Sequence, residues 1–90
     1  MAVKVNLHLA LQKITGGKKA VEVSGRTVGE CIGVLIETYP ELESFLFDSG
    51  GKFKSYIGVY VNLQSTYPRE MDTPVKDGDE IHLVMIFSGG

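Results

Sequence analysis

Ninety residues, 43% hydrophobic and 22% charged, describe one globular domain with room for a single small core but not for a deep, enclosed catalytic cleft. A net charge of -2 argues against nucleic acid, which calls for a basic face. No apolar stretch approaches the ~20 residues that cross a bilayer, Lys4, Asn6 and His8 interrupt any signal-peptide core, and the single cysteine cannot pair within the chain, so the expected compartment is the cytoplasm.

Residues 2–12 alternate: Val3, Val5, Leu7, Leu9 and Leu11 on one side; Lys4, Asn6, His8, Ala10 and Gln12 on the other. That period predicts a strand with one buried face. Thr15-Gly16-Gly17-Lys18 is a turn signal, and residues 19–23 read as a second strand with Val21 and Val23 inward, completing a hairpin. Thr27-Val28-Gly29-Glu30 is a capping box, in which Thr27 takes the Glu30 amide and Glu30 reaches back to Thr27. Val28, Ile32, Leu35, Ile36 and Tyr39 then lie on one helical stripe, which Pro40 ends. Gly29 and Gly33 are costly in a helix and are read as places where another segment approaches closely.

Leu42, Phe45, Leu46 and Phe47 suggest a further helical turn, and residues 48–52 a loop. Residues 56–62 alternate again, with Ile57, Val59 and Val61 inward. The stretch 64–75, with Pro68 and Pro74, is irregular with room for one short edge strand. Lys76-Asp77-Gly78-Asp79 is a tight turn, and residues 80–87 form the last strand. The first and last strands are the longest and most apolar, which places them centrally and parallel, with the helix on one face of an α+β domain.

Most chemistry-bearing residues read as structural. Cys31, on the helix with no histidine near in sequence, is expected to be buried and inert. His8 and His82 become neighbours if the outer residues of the first and last strands pair, but two histidines without a third ligand make a poor metal site. The pairs Glu41/Glu43 and Asp77/Asp79 sit at a helix start and in a turn, and neither double glycine, Gly16-Gly17 or Gly50-Gly51, continues into a phosphate loop.

Two features remain. The helix-covered face takes Val3, Val5, Leu7, Ile57, Val59, Val61, Ile81, Leu83 and Met85, which leaves His8, Tyr56, Tyr60, His82, Val84 and Ile86 outward, with Phe87 at the foot of the tail. A half-aromatic, half-aliphatic open face is the composition of a protein-docking surface. The last strand also runs into Ser88, Gly89 and Gly90, and would deliver a bare, side-chain-free carboxylate clear of the fold.

The order of elements, Val59-Tyr60-Val61-Asn62, the approach Thr73-Pro74-Val75-Lys76-Asp77-Gly78-Asp79-Glu80-Ile81, and Gly89-Gly90 together resemble the ubiquitin-like β-grasp sulfur-carrier family over essentially the whole chain. This family includes the thiamine carrier and the molybdopterin synthase small subunit. Thr15-Gly16-Gly17, Ser24-Gly25-Arg26-Thr27 and the insertion 48–55 look most like its carriers for cysteine and homocysteine synthesis. The resemblance implies a mixed sheet of four to five strands with one main helix, residues 1–90 as a single domain, and 88–90 as a functional tail. It implies a non-enzymatic protein whose Gly90 carboxylate is adenylated and converted to a thiocarboxylate. ATP then belongs to an activating enzyme and pyridoxal phosphate to an acceptor enzyme; this chain binds neither. A metalloprotease would mature any precursor extending past Gly90. Where many members carry Pro and small residues before the glycines, this chain has Val84-Met85-Ile86-Phe87-Ser88, a bulkier stem that bears on the choice of acceptor. The rival functions within the same resemblance are a molybdopterin synthase small subunit and a ubiquitin-like modifier; outside it, a plain interaction domain.

Overall fold

Val3, Val5 and Leu7 are buried in alternation with the outward Lys4 and Asn6, and they define β1 (Ala2–Leu7) in a computed structural model that describes residues 2–86. The alternation stops there. The chain turns into a single helical turn, α1 (Leu9–Gln12), so the expectation of a strand through residue 12 is corrected. Leu7 and Leu11 are four apart and both reach the core, whereas Leu9 is 74% exposed. Side chains stabilise the switch: His8 Nδ1 accepts the Ala10 amide at 3.0 Å, and Gln12 Nε2 donates to the Leu7 carbonyl at 3.0 Å.

After the glycine turn, β2 (Ala20–Ser24) pairs antiparallel with β1. Helix α2 (Val28–Thr38) begins as its capping box predicts, with Thr27 Oγ1 accepting the Glu30 amide at 3.1 Å. The reciprocal bond lands one residue earlier than expected: Glu30 Oε1 accepts from the Arg26 amide at 2.9 Å. Val28, Cys31, Ile32 and Leu35 bury one stripe, and Ile36 and Tyr39 pack at its margin. A short helix α3 (Leu42–Leu46) contributes Leu42 and Leu46 to the same core.

Strand β3 (Ile57–Val61) turns through Asn62-Leu63 into the two-residue β4 (Gln64–Ser65), the expected edge strand. A 3-10 turn (Glu70–Asp72), with no counterpart in the sequence reading, precedes β5 (Glu80–Met85). The sheet order is β2-β1-β5-β3-β4, with β1 and β5 parallel and β5 and β3 antiparallel. Asp77 and Asp79 have structural work: Asp77 Oδ1 accepts the Ala2 amide at 2.8 Å, and Asp79 Oδ2 accepts the Lys76 amide at 3.0 Å. The first bond fastens the turn before β5 to the start of β1, and the second closes the turn itself.

The helices lie on the face carrying Val3, Val5, Ile81 and Leu83, and the other face is open. Cys31 is fully buried, as expected. Gly29 fulfils the expectation of close approach, since a β-carbon there would stand 2.9 Å from the Met71 carbonyl oxygen. Gly33 does not: it is exposed, with nothing within 4 Å of such a β-carbon.

Candidate docking face

The strand register arranges the outward residues in rows. Asn6, His82, Tyr60 and Ser65 form one row across β1, β5, β3 and β4. Toward the start of β5 the next row is charged, with Lys4 beside Glu80, and Asn6 Nδ2 donates to Glu80 Oε1 at 2.9 Å. Toward its end Val84 faces Gly58, and beyond them lie Tyr56 and Ile86. The open face therefore grades from charged to apolar along β5, in the direction of the tail.

Tyr60, His82 and Val84 are half-buried, and Tyr56 and Ile86 are exposed, Ile86 by 48%. Tyr56 lies in the turn before β3, where its carbonyl accepts the Ile86 amide at 2.6 Å and Lys54 Nζ stands 5.8 Å from its ring centroid. The expectation that His8 and His82 sit side by side is corrected. His82 is opposite Asn6, while His8 has left the strand and caps α1, because the helical turn begins one residue after it. Phe87, Ser88, Gly89 and Gly90 lie outside the described residues.

One residue of this face escaped the sequence reading. A β-carbon on Gly58 would stand 2.7 Å from Ile86 Cδ1, 3.0 Å from Val84 Cγ2 and 3.2 Å from Ile86 Cγ1. The signal was available: a glycine inside a strand pattern marks a close approach. Residues 56–62 alternate so cleanly that Gly58 reads as a mere gap in the polar face.

On the helical side, an open groove of ≈ 780 Å³ runs between α2 and the loop after α3, lined by Gly33, Ile36, Phe47, Lys54 and Met71. Among the described residues, no group of three His, Cys, Asp or Glu side chains is placed to hold a metal ion, and no helix is long and apolar enough to cross a membrane.

With this fold and face in view, the sequence match is decisive: the ThiS family model covers residues 5–90. The chain belongs to the ThiS family. Its relatives include the sulfur carrier protein CysO of Mycobacterium tuberculosis, 32% identical over 93 aligned positions that cover all of both chains. The ThiS-family architecture is equally clear in three dimensions. CysO in the BexX/CysO complex of Amycolatopsis orientalis superposes with a TM-score of 0.88 at 32% identity, over 99% of this chain and 100% of that one. Small archaeal modifier protein 1 of Methanosarcina acetivorans gives 0.84 at 27% identity, over 99% and 96%. The mixed five-stranded sheet with one main helix is thus the β-grasp fold that the resemblance implied.

Proposed function

We propose that this ThiS-family chain is a sulfur carrier that works through the carboxylate of Gly90 when that residue ends the chain. The observation that carries the reading is its full-length similarity to CysO, described as a sulfur carrier protein. An ATP-dependent partner adenylates the carboxylate: a carboxylate oxygen attacks the α-phosphorus and pyrophosphate leaves. Sulfide then displaces AMP and leaves a thiocarboxylate. The acceptor is a pyridoxal-phosphate enzyme that takes the sulfur into cysteine or homocysteine. ATP and pyridoxal phosphate belong to those partners, and a metalloprotease matures any precursor that extends past Gly90.

This chain supplies two things. Ser88, Gly89 and Gly90 are slim enough to enter a partner's active site. Tyr56, Tyr60, His82, Val84 and Ile86, with Phe87 beyond them, form the docking face, whose apolar end adjoins the tail. His8 contributes at its margin, held by its cap to α1.

The test is the intact mass of the protein isolated from its own cells under reducing conditions. A gain equal to replacing one oxygen by one sulfur, localised to Gly90, is the expected result. Failure to form the thiocarboxylate with activating enzyme, ATP and sulfide all supplied would sink the reading, as would full activity after deletion of Gly90. A second reading, covalent attachment of Gly90 to lysines of other proteins, draws on the 27% identity to small archaeal modifier protein 1. Branched peptides ending in this chain's Gly-Gly would favour it.

A further inference from the structure

Gly58 stands inside β3 and pairs with Val84 of β5, where a glycine weakens a strand and packs nothing of its own. Its vacant side-chain position is filled from β5. Ile86 Cδ1 lies 2.7 Å from where a β-carbon would be, and Val84 Cγ2 lies 3.0 Å away. Val84 is the direct cross-strand partner of Gly58, whereas Ile86 reaches it diagonally from beyond the last ladder pair, Ile57 with Met85.

Ile86 is thereby held at two points. Its amide donates to the Tyr56 carbonyl at 2.6 Å, and its side chain folds back over Gly58. Any larger residue at 58 would remove the second point while leaving the first. The contacts that an added methyl would meet are all side-chain atoms and none is backbone; the nearest, Ile86 Cδ1, is a flexible end that can swing away, while the stiffer Val84 must give by a few tenths of an ångström.

We propose that Gly58 is a positioning residue. Its missing side chain forms the seat that fixes Ile86, and so sets the direction in which the chain leaves β5 toward Gly90. This inference rests on the reading that a partner enzyme acts on Gly90. Because a misplacement of about 1 Å can cost a reaction as much as 100-fold, a loose exit lowers turnover even when docking is saturated.

The experiment uses the ATP-dependent activating enzyme that adenylates the wild-type chain, purified from the same cells and followed by ATP–pyrophosphate exchange with carrier concentration varied. Gly58→Ala is expected to lower kcat about tenfold or more at saturating carrier, with thermal stability unchanged or raised. In methyl NMR the Ile86 δ1 signal should move and lose its cross-peak to the Gly58 α-protons. Ile86→Val in the Gly58→Ala background, which removes the Cδ1 that clashes, should restore part of kcat. An unchanged kcat overturns the proposal, and so does a rise in KM alone. A kcat loss that tracks lowered stability, without rescue by Ile86→Val, makes Gly58 merely structural. If the wild type itself is never adenylated, the carrier reading falls and takes this one with it. That outcome is told apart because the wild type, not the variant, is silent.

Discussion

The Met71 carbonyl oxygen lies against α2 where Gly29 leaves it room: a β-carbon at residue 29 would be 2.9 Å from that oxygen and 3.4 Å from Met71 Cβ. The obstacle is backbone, so it cannot swing aside. The 3-10 turn that carries Met71 is tied to the helix start nearby, since the Val28 amide donates to the Thr73 carbonyl at 2.9 Å. Alanine at 29 would gain roughly 1 kcal/mol of helix propensity and lose about 1–3 kcal/mol to overpacking. Gly29→Ala is therefore expected to destabilise by about 1 kcal/mol net, read as a lower urea midpoint at unchanged slope. Gly33→Ala, one turn on and facing open space, should raise stability by up to about 1 kcal/mol. Equal effects at both positions would refute this account.

Thr27 Oγ1 satisfies an amide that α2 would otherwise leave unpaired. Thr27→Ala should cost about 1 kcal/mol and Thr27→Ser very little, because serine retains the acceptor. Thermal unfolding of both variants checks this, with a loss of roughly 4–8 °C expected for the alanine variant in a domain of this size.

Ile86 is 48% exposed at the apolar end of the proposed docking face. Ile86→Asp is expected to weaken binding to the activating enzyme while changing stability by no more than about 0.5 kcal/mol. Titration calorimetry and a denaturation curve on the same sample separate the two effects. A large loss of stability would place Ile86 in the core rather than on a docking surface.

Burial is the main reason the Cys31 thiol has a raised pKa, and the nearby Glu30 carboxylate pushes the same way. A group protonated more tightly in the folded state stabilises it fully below the unfolded pKa, about 8.5 for a thiol. That contribution fades as pH rises from there through the folded value. The stability advantage of the wild type over Cys31→Ala should therefore shrink as pH rises above about 8.5 in urea titrations. Alkylation of Cys31 in the native protein should be slow throughout. Rapid labelling at neutral pH would contradict the burial argument.

Much of the fold was legible because one physical pattern governed each long segment. Val3-Val5-Leu7 and Ile81-Leu83-Met85 alternate, Val5 with Ile81 and Leu7 with Leu83 pair as parallel neighbours, and Thr27 with Glu30 announces α2. The misreadings fell where two patterns coincide. Leu7, Leu9 and Leu11 fit a strand, but Leu7 and Leu11 fit a helical turn equally well, and His8 and Gln12 supply its local hydrogen bonds. Gly29 and Gly33 are indistinguishable in sequence because the difference between them is Met71, more than 30 positions away. The outward residues of β3 and β5 on the open face were readable as a list, whereas His8 was not, since it leaves the strand. The organisation of that face was not readable, because the seat at Gly58 depends on a diagonal contact across two strands.

The place of β5 has a kinetic meaning. It is the last strand in the chain, yet it lies between β1 and β3 and makes the only link, among the described residues, between the β1–β2 and β3–β4 ladders. Lys4 meets Glu80 across most of the chain's length, so loop closure must precede the contacts that reward it. During synthesis the two hairpins can gather early, but a continuous sheet waits until residues 80–85 have left the ribosome. A chain stalled before β5 therefore has two separate ladders and no continuous sheet.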